Sequence, residues 1–290
     1  MMKYVTLSDL ATTIRKNIWK VPRDIDFIIT IPRSGTIAGS IISEFLNVPL
    51  IDINSFAEGV KPSGGGRLRY YNSKEHNTKR VLVVDDTVYS GLSKVLARAK
   101  LEKFTEYEFI YMAVYLEGPG EQYIDIWLED LRMYTNNFTQ IVLYEWNIFH
   151  HNEDIMLSTL YDLDGVLCVE PPDERDEKRY LEYIENATPL FIPTAPIGGI
   201  VTFRLIKNAD ITSRWLKKQG VECKNLTMFT AQSWEERNKS GISPGEWKGQ
   251  IFKMLPQYKL FVESSSSQAK TIAEISGKPV LCVDDNKVYQ

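Results

Sequence analysis

Apolar residues fall into short continuous runs separated by stretches of helical spacing, a pattern that predicts alternating strands and helices. Over residues 7–19 the apolar positions recur with helical period, with Ser8 or Asp9 placed to cap the start and Val21-Pro22 to close the segment. Residues 27–31 form a compact β-rich run, followed by Pro32-Arg33-Ser34-Gly35, a helical pattern through Leu46 and a further strand over 48–53. Residues 58–79 contain Gly64-Gly65-Gly66, Arg67 and Arg69 with little apolar periodicity, and read as a long mobile loop. A continuous apolar strand over 80–84 then leads into Asp85-Asp86, Gly91 opens a helix through Lys100, and 109–115 is again strand-like.

After Gly118-Pro119-Gly120, the runs 124–127 and 141–149 predict further strands, ending in His150-His151-Asn152-Glu153-Asp154. The alternation restarts from Met156, with strands expected over 157–161, 199–202, 259–262 and 279–283. Continuous rather than alternating apolar strands imply sheets covered on both faces, so the expected class is α/β with two doubly wound parallel-sheet domains, 1–153 and 154–290.

Length agrees with that division, since 290 residues suit two domains of about 150. The formal net charge of -4 argues against a nucleic-acid-binding surface. Cys168, Cys223 and Cys282 lack CxxC spacing, so neither a structural zinc site nor a disulfide framework is expected, and a reducing cytoplasm fits. The first twenty residues hold no uninterrupted apolar run, which predicts neither a signal peptide nor a membrane span and leaves any membrane contact peripheral. His150 and His151 have no third ligand at metal-binding spacing, so no metal is expected there.

The first chemical constellation is VLVVDDTVYSG, residues 81–91. Two carboxylates at a strand end suit the 2- and 3-hydroxyls of a ribose, while a turn and a helix N-terminus suit its 5-phosphate. Gly91 lets the backbone approach that phosphate, and the Thr87 and Ser90 hydroxyls add donors. This segment resembles the motif of type I phosphoribosyltransferases that binds 5-phosphoribosyl-1-pyrophosphate (PRPP), and the resemblance extends over most of residues 20–120. It implies PRPP contacts from Arg33, Ser34, Asp85, Asp86, Thr87, Val88, Tyr89, Ser90 and Gly91. Arg33 would neutralise departing pyrophosphate, and Arg67 or Arg69 would swing in from the loop. Tyr89 stands where the hypoxanthine-guanine branch carries an aspartate, which argues against a 6-oxopurine acceptor.

The second constellation, Tyr161-Asp162-Leu163-Asp164-Gly165-Val166, follows another apolar strand and is similar to the opening of the haloacid dehalogenase (HAD) superfamily. The resemblance implies a HAD-like fold with Asp162 as phosphoryl-accepting nucleophile and Asp164 as acid/base. Further along, it implies Thr202 as a hydroxyl on the phosphoryl oxygens, Lys248 (with Lys253 as competitor) as the balancing cation, and magnesium held by Asp162, Asp164 and Glu263. Only some thirty residues separate Val166 from Gly199, so a minimal cap and an open cleft are expected. Asp284-Asp285 end the last expected strand without a glycine loop and read as sheet-edge residues.

Together these resemblances imply transfer of 5-phosphoribosyl from PRPP followed by removal of the 5-phosphate, with magnesium at both sites. Dephosphorylation would undo base salvage, which favours a hydroxyl on a glycan or lipid-linked glycan, as in the transferase and phosphatase pairs that install ribofuranose in bacterial polysaccharides. A nucleobase phosphoribosyltransferase fused to a nucleotidase, and a PRPP-sensing regulatory protein, are the alternatives. Such transferases are commonly dimers, so a homodimer is an expectation by analogy.

Overall fold

The computed structural model describes residues 2–65, 78–135, 141–150, 153–173 and 175–290. The chain folds into two compact units, Met1–Trp146 and Asn147–Gln290.

The first unit runs β1 (Lys3–Val5), α1 (Leu7–Asn17), β2 (Phe27–Thr30), α2 (Ser34–Leu46), β3 (Leu50–Asp52), α3 (Ile53–Ala57), β4 (Lys79–Val88), α4 (Leu92–Leu101), β5 (Tyr107–Leu116), β6 (Ile126–Asp130), α5 (Arg132–Thr135) and β7 (Val142–Tyr144). Its main sheet has the order β3-β2-β4-β5-β6 with every pairing parallel, and β1 pairs with β7 apart from it. The apolar run of β4 has the expected cause, because successive residues feed opposite faces. Leu82 and Val84 join a core with Leu10, Ile14 and Ile42, whereas Val81 and Val83 join one with Phe56 and Leu101.

Several boundaries depart from the sequence pattern. Thr6, rather than Ser8 or Asp9, caps α1: its hydroxyl accepts the Asp9 N–H at 3.0 Å while the Asp9 carboxylate accepts the Thr6 N–H at 3.0 Å. The strand expected over 48–53 contracts to β3 because the Asp52 side chain accepts the N–H groups of Asn54 and Ser55 and so starts a helix. β4 does not stop at the acids but continues to Val88, since β5 supplies partners as far as Thr87↔Tyr115 and Val88↔Leu116. The strand expected over 124–127 lies at β6, and that over 141–149 shrinks to β7 before a 3-10 turn at Glu145–Asn147. Residues 66–77 of the expected loop, with Arg67 and Arg69, lie outside the described residues.

The second unit runs α6 (Glu153–Leu157), β8 (Thr159–Tyr161), α7 (Glu177–Asn186), β9 (Gly199–Leu205), α8 (Ala209–Lys218), β10 (Leu226–Phe229), α9 (Trp234–Lys239), α10 (Pro244–Met254), β11 (Leu260–Glu263), α11 (Ser266–Ser276), β12 (Val280–Cys282) and β13 (Lys287–Tyr289). The sheet order is β10-β9-β8-β11-β12-β13, placing β8 and β11 side by side in the middle. Pairings are parallel except β12 with β13, so the expectation of a wholly parallel sheet fails at this edge. The connection from Cys282 to Lys287 is short, and a tight turn joins antiparallel neighbours only. Asp284-Asp285 lie in that turn, where Asp285 Oδ2 accepts the Tyr289 hydroxyl at 2.6 Å. Among the described residues α7 is the one helix between β8 and β9.

Lys248 reaches the second unit's centre from α10, which a capping box anchors. Ser243 Oγ accepts the Glu246 N–H at 3.3 Å, and the Glu246 carboxylate accepts the Ser243 N–H at 2.9 Å. We expect Ser243→Ala to lower the unfolding free energy of the full chain by about 1 kcal/mol in urea titration, with Glu246→Gln costing less because an amide oxygen preserves the acceptor.

Candidate functional site

In the first unit, Asp85 and Asp86 sit on β4 towards the C-terminal end of the sheet, the side on which open α/β sheets bind ligands. Asp85 is held by its own chain. Its Oδ1 accepts the Asp86 N–H at 3.0 Å, and its Oδ2 takes the Ser93 hydroxyl at 3.0 Å and the Lys94 ammonium at 2.5 Å. Lys94 is fully buried on α4. Asp86 accepts the Trp146 indole N–H on Oδ2 at 2.8 Å. Burial, reinforced by the charge of Asp85 and opposed by the Trp146 bond, pushes the Asp86 carboxyl up to about 7.

Gly35 brings the Arg33-Ser34 segment against these acids. A Cβ there would lie 2.8 Å from the Val84 carbonyl oxygen and 2.9 Å from Asp85 Cα, closer than any side chain permits. The Pro32-Arg33 peptide is cis, and Arg33 itself is exposed just ahead of α2. Of the expected phosphate-binding residues, Thr87 and Val88 belong to the extended strand, so the turn proper is Tyr89-Ser90 before Gly91. Gly91 adopts φ +81° at the start of α4, where a Cβ would also meet the Tyr123 ring. Tyr89 and Ser90 are exposed.

In the second unit the geometry gathers the three expected carboxylates around two buried cations, the expected Lys248 and Arg204. Lys248 Nζ donates to Asp162 Oδ2 at 2.5 Å, to Glu263 Oε2 at 2.8 Å and to Gln268 Oε1 at 3.0 Å. Lys253, the other lysine expected for this position, is exposed. Asp164 turns to Arg204, whose Nε and Nη2 approach its carboxylate at 2.9 and 2.5 Å, and it also accepts the Tyr183 hydroxyl at 2.8 Å. Thr202 is buried on β9, its hydroxyl accepting the Arg204 N–H at 3.3 Å. Asp162, Asp164, Glu170, Arg204, Arg237 and Lys248 line a cavity of about 310 Å³.

Burial, then the charge of Glu263, raise the Asp162 carboxyl well above the usual carboxylate range, with Lys248 pulling the other way. Burial alone would lower Lys248, but Asp162 and Glu263 outweigh it and its proton affinity rises. Burial and the neighbouring Asp164 raise Tyr183 and push the Cys168 thiol up to about 12.

The expected magnesium set of Asp162, Asp164 and Glu263 does not converge: among the described residues no group of three or more His, Cys, Asp or Glu side chains is placed to hold a metal ion. The reason is visible in the ion pairs, since Lys248 takes Asp162 and Glu263 while Arg204 takes Asp164. His150 Nδ1 lies 3.0 Å from the Thr194 hydroxyl, and His151 lies outside the described residues.

Sequence reasoning missed Lys94, Arg204, Trp146 and Glu117. Lys94 shares a helical stripe with buried Ala97 and Leu101, and Arg204 interrupts the apolar run Gly199–Leu205, so both carried the signal of a charge on an inward position. Trp146 and Glu117 carried none, because their partners are distant in sequence.

No protein-family model matches the sequence, and no curated protein does. Among solved structures the chain is similar to a purine phosphoribosyltransferase from Pyrococcus horikoshii, at 18% identity over 50% of this chain and 93% of that one, with a TM-score of 0.34. It is also similar to an orotate phosphoribosyltransferase from Aeropyrum pernix, at 18% identity over 43% and 73% with a TM-score of 0.31. A xanthine-guanine-hypoxanthine phosphoribosyltransferase from Helicobacter pylori matches at 14% identity over 51% and 95% with a TM-score of 0.36. Each likeness covers about half of this chain.

Two outcomes follow from the electrostatics. Lys248→Met leaves the Asp162 and Glu263 carboxylates buried without their cation, and we expect a loss of about 3–5 kcal/mol in urea unfolding. Asp86 and Glu117, raised from 3.8 and 4.5 to about 7 and about 8, make the folded chain bind more protons than the unfolded one across that interval. Their contribution to stability therefore falls as pH rises from about 5 to about 8, and Glu117→Gln should flatten that decline in thermal midpoint.

Proposed function

We propose that the first unit transfers 5-phosphoribosyl from PRPP to a hydroxyl acceptor, releasing pyrophosphate, and that the second unit then removes the 5-phosphate. The observation that carries the reading is the joint placement of Asp86 at the sheet's C-terminal edge and Gly91 at the opening of α4, with Gly35 packing the Arg33-Ser34 segment onto Asp85. Asp86 would take the ribose hydroxyls, the Tyr89-Ser90-Gly91 turn the 5-phosphate, and Arg33 the departing pyrophosphate. Asp85 serves differently, since Lys94 and Ser93 already occupy its carboxylate and make it the anchor of the loop.

In the second unit Asp162 is the nucleophile of the reading. Lys248 holds its Oδ2, and the Leu163 N–H holds its Oδ1 at 2.8 Å. Attack by Oδ2 on the phosphorus would form an aspartyl-phosphate as the bond to the ribose oxygen breaks, with Lys248 balancing the charge. Asp164, once released by Arg204, would protonate that leaving oxygen and later activate water. No step is assigned to magnesium here, because the three carboxylates are engaged by lysine and arginine.

Removing the phosphate would waste a salvaged nucleotide, whereas it completes a ribofuranoside on a glycan, so a glycan or lipid-linked glycan hydroxyl is the acceptor class of this reading. Incubation with PRPP, magnesium and a synthetic glycan should add an unphosphorylated pentose by mass spectrometry. Asp162→Asn should stop at the phosphopentosyl product, and Asp86→Asn should slow pyrophosphate release by roughly a hundredfold or more. Efficient conversion of adenine, hypoxanthine or orotate to nucleotide would overturn the acceptor assignment.

A further inference from the structure

A second cavity, of about 470 Å³, lies in the same unit as the one lined by Asp162, and Tyr180, Leu205, Asn208 and Trp234 are among its walls. Three elements tie the two cavities together. β9 gives Arg204 to the Asp162 cavity and its next residue, Leu205, to the second. α9 gives Arg237 to the first and Trp234, one turn earlier, to the second. On α7, Tyr180 lines the second cavity and stacks on Tyr183 with ring centroids 6.1 Å apart, and the Tyr183 hydroxyl donates to Asp164 at 2.8 Å. A substrate whose phosphate lies at Asp162 therefore has this cavity as adjoining space for the rest of its structure.

The chemistry of the lining points to a neutral ring that carries hydroxyl groups. Asn208 is only 4% exposed and stands at the N-cap position of α8, yet its side chain makes no capping bond. Among the described residues its amide has no hydrogen-bond partner, a state that a buried amide leaves when a ligand completes it. Trp234 is half-buried and brings an indole to the same walls. Among the described residues the two cations on the lining are each paired, Lys207 with Glu177 at 2.6 Å and Arg175 with Asp173, which disfavours a second anionic group. A sugar ring meets these conditions, since its C–H face packs on an aromatic side chain while its hydroxyls use both the donor and the acceptor of an amide.

We propose that this cavity binds the sugar to which the phosphoribosyl group is attached, with the Asn208 amide holding its hydroxyls and Trp234 packing against its ring. The proposal rests on the phosphatase reading above and deepens it, because it names the part of the substrate beyond the ribose. It also supplies selectivity: a small phosphoriboside leaves the Asn208 amide unmet, whereas a phosphoribosyl glycan completes it.

The test uses the full chain with magnesium and two synthetic substrates, methyl 5-phospho-β-ribofuranoside and the same phosphoriboside carrying glucose in place of methyl. Phosphate release should give the glucose compound a kcat/KM at least about tenfold above that of the methyl compound. Asn208→Ala and Trp234→Ala should each remove most of that ratio, and Trp234→Phe should keep part of it. In a separate arm, saturation-transfer NMR should detect the unphosphorylated ribosyl glucose on the native chain and lose it with Trp234→Ala. Equal kcat/KM for both substrates in the native chain, or variants that lower both alike, overturns the assignment. Adenosine 5′-monophosphate hydrolysed better than the glucose compound, with the same dependence on Asn208, overturns it in favour of a nucleobase. A native chain that binds the unphosphorylated sugar through Asn208 and Trp234 but releases phosphate from neither substrate upholds the sugar site and defeats the phosphatase reading.

Discussion

A carboxylate at the buried end of a parallel strand is tolerated only where another group cancels its charge, and this chain meets that constraint twice with a lysine from the helix layer. Lys94 reaches Asp85 from α4, and Lys248 reaches Asp162 and Glu263 from α10. Both lysines are removed from solvent, so each is worth keeping only while its carboxylate partner is present. The strand ends, the helix registers and the two sites therefore stand or fall with these contacts.

The same constraint divides the labour among neighbouring acids. Where a cation is supplied, as for Asp85, the carboxylate becomes a fixed anchor with its oxygens engaged. Where burial outweighs the partners at hand, proton affinity rises instead: Asp86 and Glu117 are both pushed towards neutrality, by desolvation first and by a neighbouring acid second. Groups of that kind exchange protons near neutral pH. Asp162 combines both situations, since burial first and the charge of Glu263 second keep its proton affinity raised despite Lys248.

Much of the architecture was legible in the chain because it depends on local pattern. Apolar runs such as 81–84 are buried on both faces, and that alone distinguishes a doubly wound sheet from a one-sided one. Asp85-Asp86 and Asp162-Asp164 could be placed at strand ends for the same reason, whereas the inward position of Lys248 and the exposure of Lys253 became visible only in the structure. Boundaries were less legible where competing local contacts decide them, as when the Asp52 side chain turns a strand into α3 or when β5 carries β4 on to Val88.

The sequence by itself determined the order of strands and helices, the acid pairs and the glycine at the opening of α4, because periodicity, turn chemistry and chain adjacency are local properties. Only the tertiary structure decided what each carboxylate meets: Arg204 on Asp164, Lys248 shared between Asp162 and Glu263, and the Trp146-Tyr144 bridge from Asp86 to Glu117. Those partners lie tens of residues apart and are joined by packing. Charge, proton affinity and the capacity to hold a metal are set by such neighbours, and no local pattern records them.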